Sequence, residues 1–199
     1  MAVLDLQVAA GADDVFYRGG DGSFFVNANF SAGNNATSGT FTLFDVAARF
    51  TNVTIAQAST IDVAYLTLQA VSSLSGTIVN TNLSAEDVDN AAQITTAADF
   101  TGRVLTAVVA WNSIAAWVIE DINNTPSIVS PIQTVVNRGG FASGNALNVF
   151  WKNNGSTLNT NVYRAGYRYE LDTTKATKLH IESTAGAVDG TLTASVTTA

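Results

Sequence analysis

Cysteine is absent from the 199 residues, which excludes disulfide staples and thiolate metal sites and leaves the redox compartment unread. Charge is scarce too. Asp, Glu, Lys and Arg make up 13% of the chain, about half the ~25% of an ordinary soluble domain. Only nine residues are Lys or Arg, and they form no cluster able to neutralise phosphates, so no nucleic-acid partner is expected. No window approaches the ~18 apolar residues of a membrane-spanning helix. The start, MAVLDLQVAAGADD, has neither the basic region nor the apolar stretch of an export signal. A soluble chain made in a cytoplasm, with no membrane partner, is expected.

What is present is apolar and neutral-polar. Hydrophobic residues reach 47%, so the polar surface has to come from Thr, Ser and Asn, a style common in β-rich secreted or virion-type proteins. The length suits one domain with a real core. Six Asn-x-Ser/Thr triplets, at Asn29, Asn35, Asn52, Asn82, Asn123 and Asn154, follow from that composition and signal no glycosylation.

Residues 1–39, rich in Gly, Asn and Asp, read as an N-terminal loop or arm with one strand, FFVNANF, packed on the main domain or on a neighbour. From Thr40 the pattern tightens. In IDVAYLTLQAV, Ala64, Leu66, Leu68 and Ala70 share one face and Tyr65, Thr67 and Gln69 the other, the period of a half-buried strand. RVLTAVVAW (103–111) is apolar on both faces, as a central covered strand would be. AWVIEDI, ALNVFWKNN, VYRAGYRYEL and KLHIES bring the strand candidates to about ten. The expected fold is all-β, an antiparallel β-sandwich of jelly-roll type over 40–185, with a C-terminal strand or tail over 186–199.

One stretch breaks the pattern. In SPIQTVVNRGGFASGNAL (130–147), Ser130 suits an N-cap, Pro131 the first helical position and Gln133 a capping box. Ile132, Val135 and Val136 form an apolar stripe. Arg138 and Gly139 suit the last turn and a left-handed stop. One short helix near 130–138 is expected. GFASG (140–144) is no nucleophile elbow, because it reads Gly-x-x-Ser-Gly and follows a helix instead of preceding one. His180, the single histidine, lies in a terminal strand far from Ser143 in sequence. No catalytic residue and no cofactor are expected.

The order ARFTNVTIAQASTIDVAYLTL, EDVDNAA, TAVVAW, SIVSPIQTVVNRGGFASGNALNVFW, TKLHIES resembles a jelly-roll domain of virion structural proteins of tailed phages, of capsid decoration, cement or tail-fibre type. The resemblance spans about Phe41 to Glu182. The chain departs from it at Phe141, where Trp is usual, and at AQAS, where a Pro-Gly turn is expected. It implies a jelly-roll fold and a virion location, and it brings no catalytic set. The function it implies is a non-enzymatic capsid decoration or cement protein. The alternative is a carbohydrate- or receptor-binding module of a tail or fibre.

Two groups of side chains are candidate ligand contacts. Asp13, Asp14 and Asp21 in one loop, and Glu86, Asp87 and Asp89 in another, are oxygen-rich enough for calcium but lack EF-hand spacing. Solvated turn carboxylates are the expected reading, and no metal is assigned. Tyr163, Tyr167 and Tyr169 share a parity, opposite Arg164 and Arg168. Exposed, they would stack on a glycan; buried, they would fill the core, which is the expected reading. The weakly charged runs TAVVAWNSIAAWVIEDI and ALNVFW are candidates for burial against other chains. The expected partners are capsid proteins and copies of the same chain, a homotrimer favoured, with both termini in contact with neighbours.

Overall fold

A computed structural model describes residues 1–37 and 40–186, the side chains of 37, 40 and 41 excepted. The fold is all-β. One sheet is ordered β1 (Ala2–Gln7), β12 (Lys178–Thr184), β6 (Thr60–Gln69), β9 (Ile122–Asn124). The other runs β11 (Val162–Gly166), β4 (Phe30–Thr37), β5 (Thr40–Phe50), β10 (Leu147–Asn153), β7 (Thr81–Ala85), β8 (Val109–Trp111). β2 (Asp14–Arg18) pairs with the second half of β5, and β3 (Ser23–Phe25) pairs with β2. Every strand pairing among the described residues is antiparallel.

Period-two patterning places the core between the sheets. Ala64, Leu66 and Leu68 of β6 face Val46, Ala48 and Phe50 of β5 and Leu147, Val149 and Trp151 of β10 within one buried cluster. Each large apolar side chain removed from water there contributes about 1.5–3 kcal/mol. Trp111, Trp117 and Trp151 meet at ring separations of 5.7–6.1 Å. The buried Trp151 donates its ring N–H to the Thr81 hydroxyl at 2.8 Å, so its polar edge is satisfied. A smaller cluster on the outer face of the larger sheet, Val15, Ala47, Ile94 and Phe150, is capped by Phe100. Phe100 sits on α1 (Ala97–Gly102).

The helical reading of 130–138 corresponds to α2 (Val129–Val136), whose Ile132, Val135 and Val136 are buried as the stripe requires. The cap details differ. Ile128 holds the N-cap position with no side-chain hydrogen bond. Gln133, expected to close a capping box, ties the helix to the sheet: its side chain accepts from Ile61 N–H at 2.8 Å and donates to the Ser59 carbonyl at 2.9 Å. Gly139 is not left-handed; Gly144 is, at φ 96°. A Cβ on Gly139 would meet nothing within 4 Å. Gly139→Val is therefore expected to change stability by less than about 0.5 kcal/mol, the usual surface range, as a urea titration of the variant would record. A loss above about 1 kcal/mol would restore the left-handed stop.

Other expectations also need correction. Residues 1–37 carry four strands where one was expected. β1 pairs with β12 and β4 with β11, both far along the chain, while β2 and β3 form a short local hairpin; local Gly, Asn and Asp content under-reports them. α1 was not expected, although Thr96 accepts from Asp99 N–H and Asp99 accepts from Thr95 N–H, a capping signature legible as Thr-x-x-Asp. The stretch 103–111 is no covered central strand: it ends in the three-residue edge strand β8. Apolar residues on both faces report a lack of polarity, not a cover. AWVIEDI folds as a turn leading into β9, and VYRAGYRYEL leaves the sheet at Gly166. The C-terminal strand or tail lies outside the described residues beyond Gly186.

Candidate functional site

Ser143 is exposed in the loop after α2, and His180 does not meet it. The imidazole stands on the outer face of β12, stacked on Tyr65 at 4.8 Å, with Nδ1 at 2.7 Å from Asp5 and Nε2 at 3.3 Å from Glu182. These two carboxylates raise its pKa, Asp5 foremost. Ser143→Ala is expected to leave the melting temperature and every measured activity unchanged. Loss of an activity at an unchanged melting temperature would identify Ser143 as a nucleophile.

The acidic groups are held by cations and amides. Asp21 pairs with Arg18, and Asp13 with Arg49 at 3.2 Å. Glu86 accepts from Arg103 and Asn148, both at 2.7 Å. Arg138, just past α2, donates to Asp87 at 2.5 Å and Asp89 at 2.6 Å. The bend 86–93 is fastened further by Asn145, Asn148 and Arg49, which donate to its backbone carbonyls. Among the described residues no three His, Asp or Glu side chains gather as a metal cage would require. Asp14 is the exception to pairing. It is buried, its Oδ2 accepts the Tyr169 backbone N–H at 2.7 Å, and its Oδ1 has no partner. Burial pushes its pKa up to about 7, against the opposing hydrogen bond from Tyr169 and aided by the charge of Glu170.

The three tyrosines are not brought into one row. Tyr163 packs edge-on against Phe44 at 5.0 Å, continuing a line through Phe16 and Phe25. Tyr169 packs on the main core. Tyr167, past the end of β11, donates its hydroxyl to Glu120 at 2.5 Å and lies under Lys175 at 4.7 Å. Arg164, assigned by parity to a face with Arg168, is buried at 1% exposure. Its guanidinium donates to the carbonyls of Ala115, Gly76, Ile114 and Tyr163 at 2.7–2.9 Å. Four neutral acceptors and no carboxylate hold this charge, and desolvation lowers its pKa.

Two of those carbonyls, of Ile114 and Ala115, belong to a continuous apolar flank. Residues 104–114 run antiparallel beside 79–87 as the outermost strip of the larger sheet. Asp87 N–H donates to Val104, Thr106 N–H to Ala85, and Ile114 N–H to Val79. β8 pairs with Thr81–Leu83 in between. One extra residue between Thr106 and Val109 makes a bulge at Ala107–Val108. The ladder parity follows from Glu86, which donates to Asn148 of β10. Even-numbered residues of β7 thus face β10, and Thr81 and Leu83 face Trp111 and Val109. The N–H and C=O of Ala110 then point away from β7, and no strand among the described residues pairs there.

The chain next makes a turn closed by Asp121 N–H on the Val118 carbonyl at 3.0 Å. Glu120 in this turn has φ 73°, a left-handed conformation costing about 1 kcal/mol in an L-residue. Its carboxylate is fixed there by Tyr167, Lys175 at 2.8 Å and Gln69 at 2.8 Å. This anchoring leaves Val118 and Ile119 outside. Between Arg103 and Glu120 there is no charged residue. Val104, Val108, Val118, Ile119 and Ile122 are 69%, 58%, 58%, 50% and 70% exposed. What the flank offers is apolar contact and open backbone hydrogen bonding. The sequence marked it as TAVVAWNSIAAWVIEDI, while its companion ALNVFW is buried in β10. Comparison with models of known protein families and with curated proteins found no match for this chain.

Proposed function

We propose that this chain is a non-enzymatic structural protein of a tailed-phage virion, a decoration or cement protein of jelly-roll type on the particle exterior. It acts by contact with capsid proteins and with copies of itself, a homotrimer favoured. The observation that carries this reading is the uncharged flank 104–119 with its exposed Val and Ile side chains. Exposed apolar surface of this continuity marks protein contact sites, and the chain's net charge of −7 makes an uncharged seam the place where like copies approach without repulsion. The resemblance over Phe41 to Glu182 supports the virion setting.

The test is compositional. The chain is expected in gradient-purified particles at a fixed ratio to the major capsid protein. Particles lacking it are expected to assemble and then to release DNA at lower temperature. Absence of the chain from purified particles would refute the proposal. Glycan-array binding lost in Tyr167→Ala would favour a receptor-binding module instead.

A further inference from the structure

We infer that Lys152 and Asn82 join in an isopeptide bond across β10 and β7, with Asp45 of β5 carrying the proton. The modification is internal to one chain and does not depend on the virion reading. The ladders set the three residues in one row. Lys152 is directly opposite Asp45 on one side and directly opposite Asn82 on the other. Opposite residues hold their Cβ atoms about 4.5–5.5 Å apart on the same face, a gap that a lysine side chain spans. The row lies on the outer face of the larger sheet and continues to Tyr17, opposite Asp45. Beside it run Val15, Ala47 and Phe150. Phe100 of α1 lies over both rows, stacked on Tyr17 at 5.2 Å and packed on Phe150 at 5.2 Å.

The groups in this row are unsatisfied in complementary ways. Asn82 Oδ1 is buried and accepts no hydrogen bond, a condition rare enough in a native fold to need a cause. The Lys152 ammonium stands over the Phe100 ring at 5.6 Å, and no ion pair among the described residues includes it. Asp45 accepts Asn153 N–H at 2.7 Å. Burial raises its pKa, against that hydrogen bond and the nearby charge of Lys152. An acid with a raised pKa, next to an amine under an aromatic ring, lowers the cost of moving the proton between them. Asp45 takes a proton from the ammonium, and the freed lone pair forms the Nζ–Cγ bond while the carbonyl π pair moves onto Oδ1. Asp45 hands its proton to Nδ2, the Cγ–Nδ2 bond breaks as the carbonyl re-forms, and a second Nζ proton passes back to Asp45. Ammonia leaves and carries that proton to solution as ammonium. The cross-link fastens β7, which holds β8 and the flank, to the middle of the larger sheet.

Intact-mass measurement of the full-length chain tests this directly. The wild type is expected to be lighter than its sequence mass by one ammonia. Trypsin is expected to spare Lys152 and to release a branched peptide joining residues 50–103 to 139–164. Lys152→Met and Asn82→Ala, each with an unchanged circular-dichroism spectrum, are expected at their full sequence masses. Asp45→Asn keeps an acceptor for Asn153 N–H and is expected to form the bond at least about a hundredfold more slowly. A wild type that stays at its sequence mass after prolonged incubation at neutral pH would overturn the inference. An ammonia loss that persists in Lys152→Met would also overturn it, since that loss is succinimide formation at an asparagine such as Asn154, which precedes Gly155. A bond formed equally fast in Asp45→Asn would overturn the role of Asp45.

Discussion

Arg164→Met is expected to lower the free energy of unfolding by about 3 kcal/mol or more, seen as a lower urea midpoint at an unchanged slope. Replacing a buried ion pair with apolar residues is often harmless, because both charges leave together. Here the partners are carbonyls of Gly76, Ile114 and Ala115, and these remain. Each buried acceptor left without a donor costs about 1–3 kcal/mol, and three such losses outweigh the relief of uncharging the site. Arg164→Lys is expected to recover only part of the loss, since a compact ammonium cannot span acceptors spread over two loops. Ile114 and Ala115 lie within the 104–122 flank, so the Met variant is also expected to associate poorly. A variant as stable as the wild type would mean that the four bonds are replaceable by water.

Asp14→Asn is expected to flatten the dependence of stability on pH between about 4 and 7. The folded protein holds the Asp14 proton up to about pH 7, whereas an unfolded aspartate releases it near 3.8. Between those values the native state binds more protons than the unfolded state, so stability is fully present below about pH 4 and is lost as pH rises to about 7. At about 1.4 kcal/mol per tenfold difference in proton affinity, the loss is of order 4 kcal/mol. Asn keeps the acceptor for Tyr169 N–H and never ionises. The variant is thus expected to match the wild type or fall slightly below it at pH 5, and to exceed it at pH 8. Carboxylates held by cations or amides, such as Asp99 beside Arg103, act in the opposite direction, which is why the difference between the two proteins is the quantity to measure. Parallel curves from pH 4 to 8 would show that Asp14 titrates normally.

The sheets were legible where a strand alternates strictly, as β6 and β12 do, and where a helix announces itself by a one-sided stripe, as α2 does. Both signals report which side faces the core. Edges and neighbours are not written locally. RVLTAVVAW carries the composition of a central strand, yet what decides its place is that, among the described residues, only β7 pairs with it. β1 is invisible without β12, which lies at the other end of the chain. Arg164 was misplaced because parity along a strand separates two faces without saying which is inside, and only the carbonyls of residues 76 and 114–115 make burial of a guanidinium affordable. The flank was legible as a weakly charged run. Its exposure was not, because a run such as ALNVFW, also apolar, ended in the core.

The account rests on contact through the 104–122 flank, and a cryo-imaging map of the intact particle tests it most directly. The predicted result is density for this chain on the capsid exterior, with Val104, Val108, Val118 and Ile119 covered by another protein chain. Copies standing apart with that flank open to solvent, or particles in which no such density exists, would contradict it.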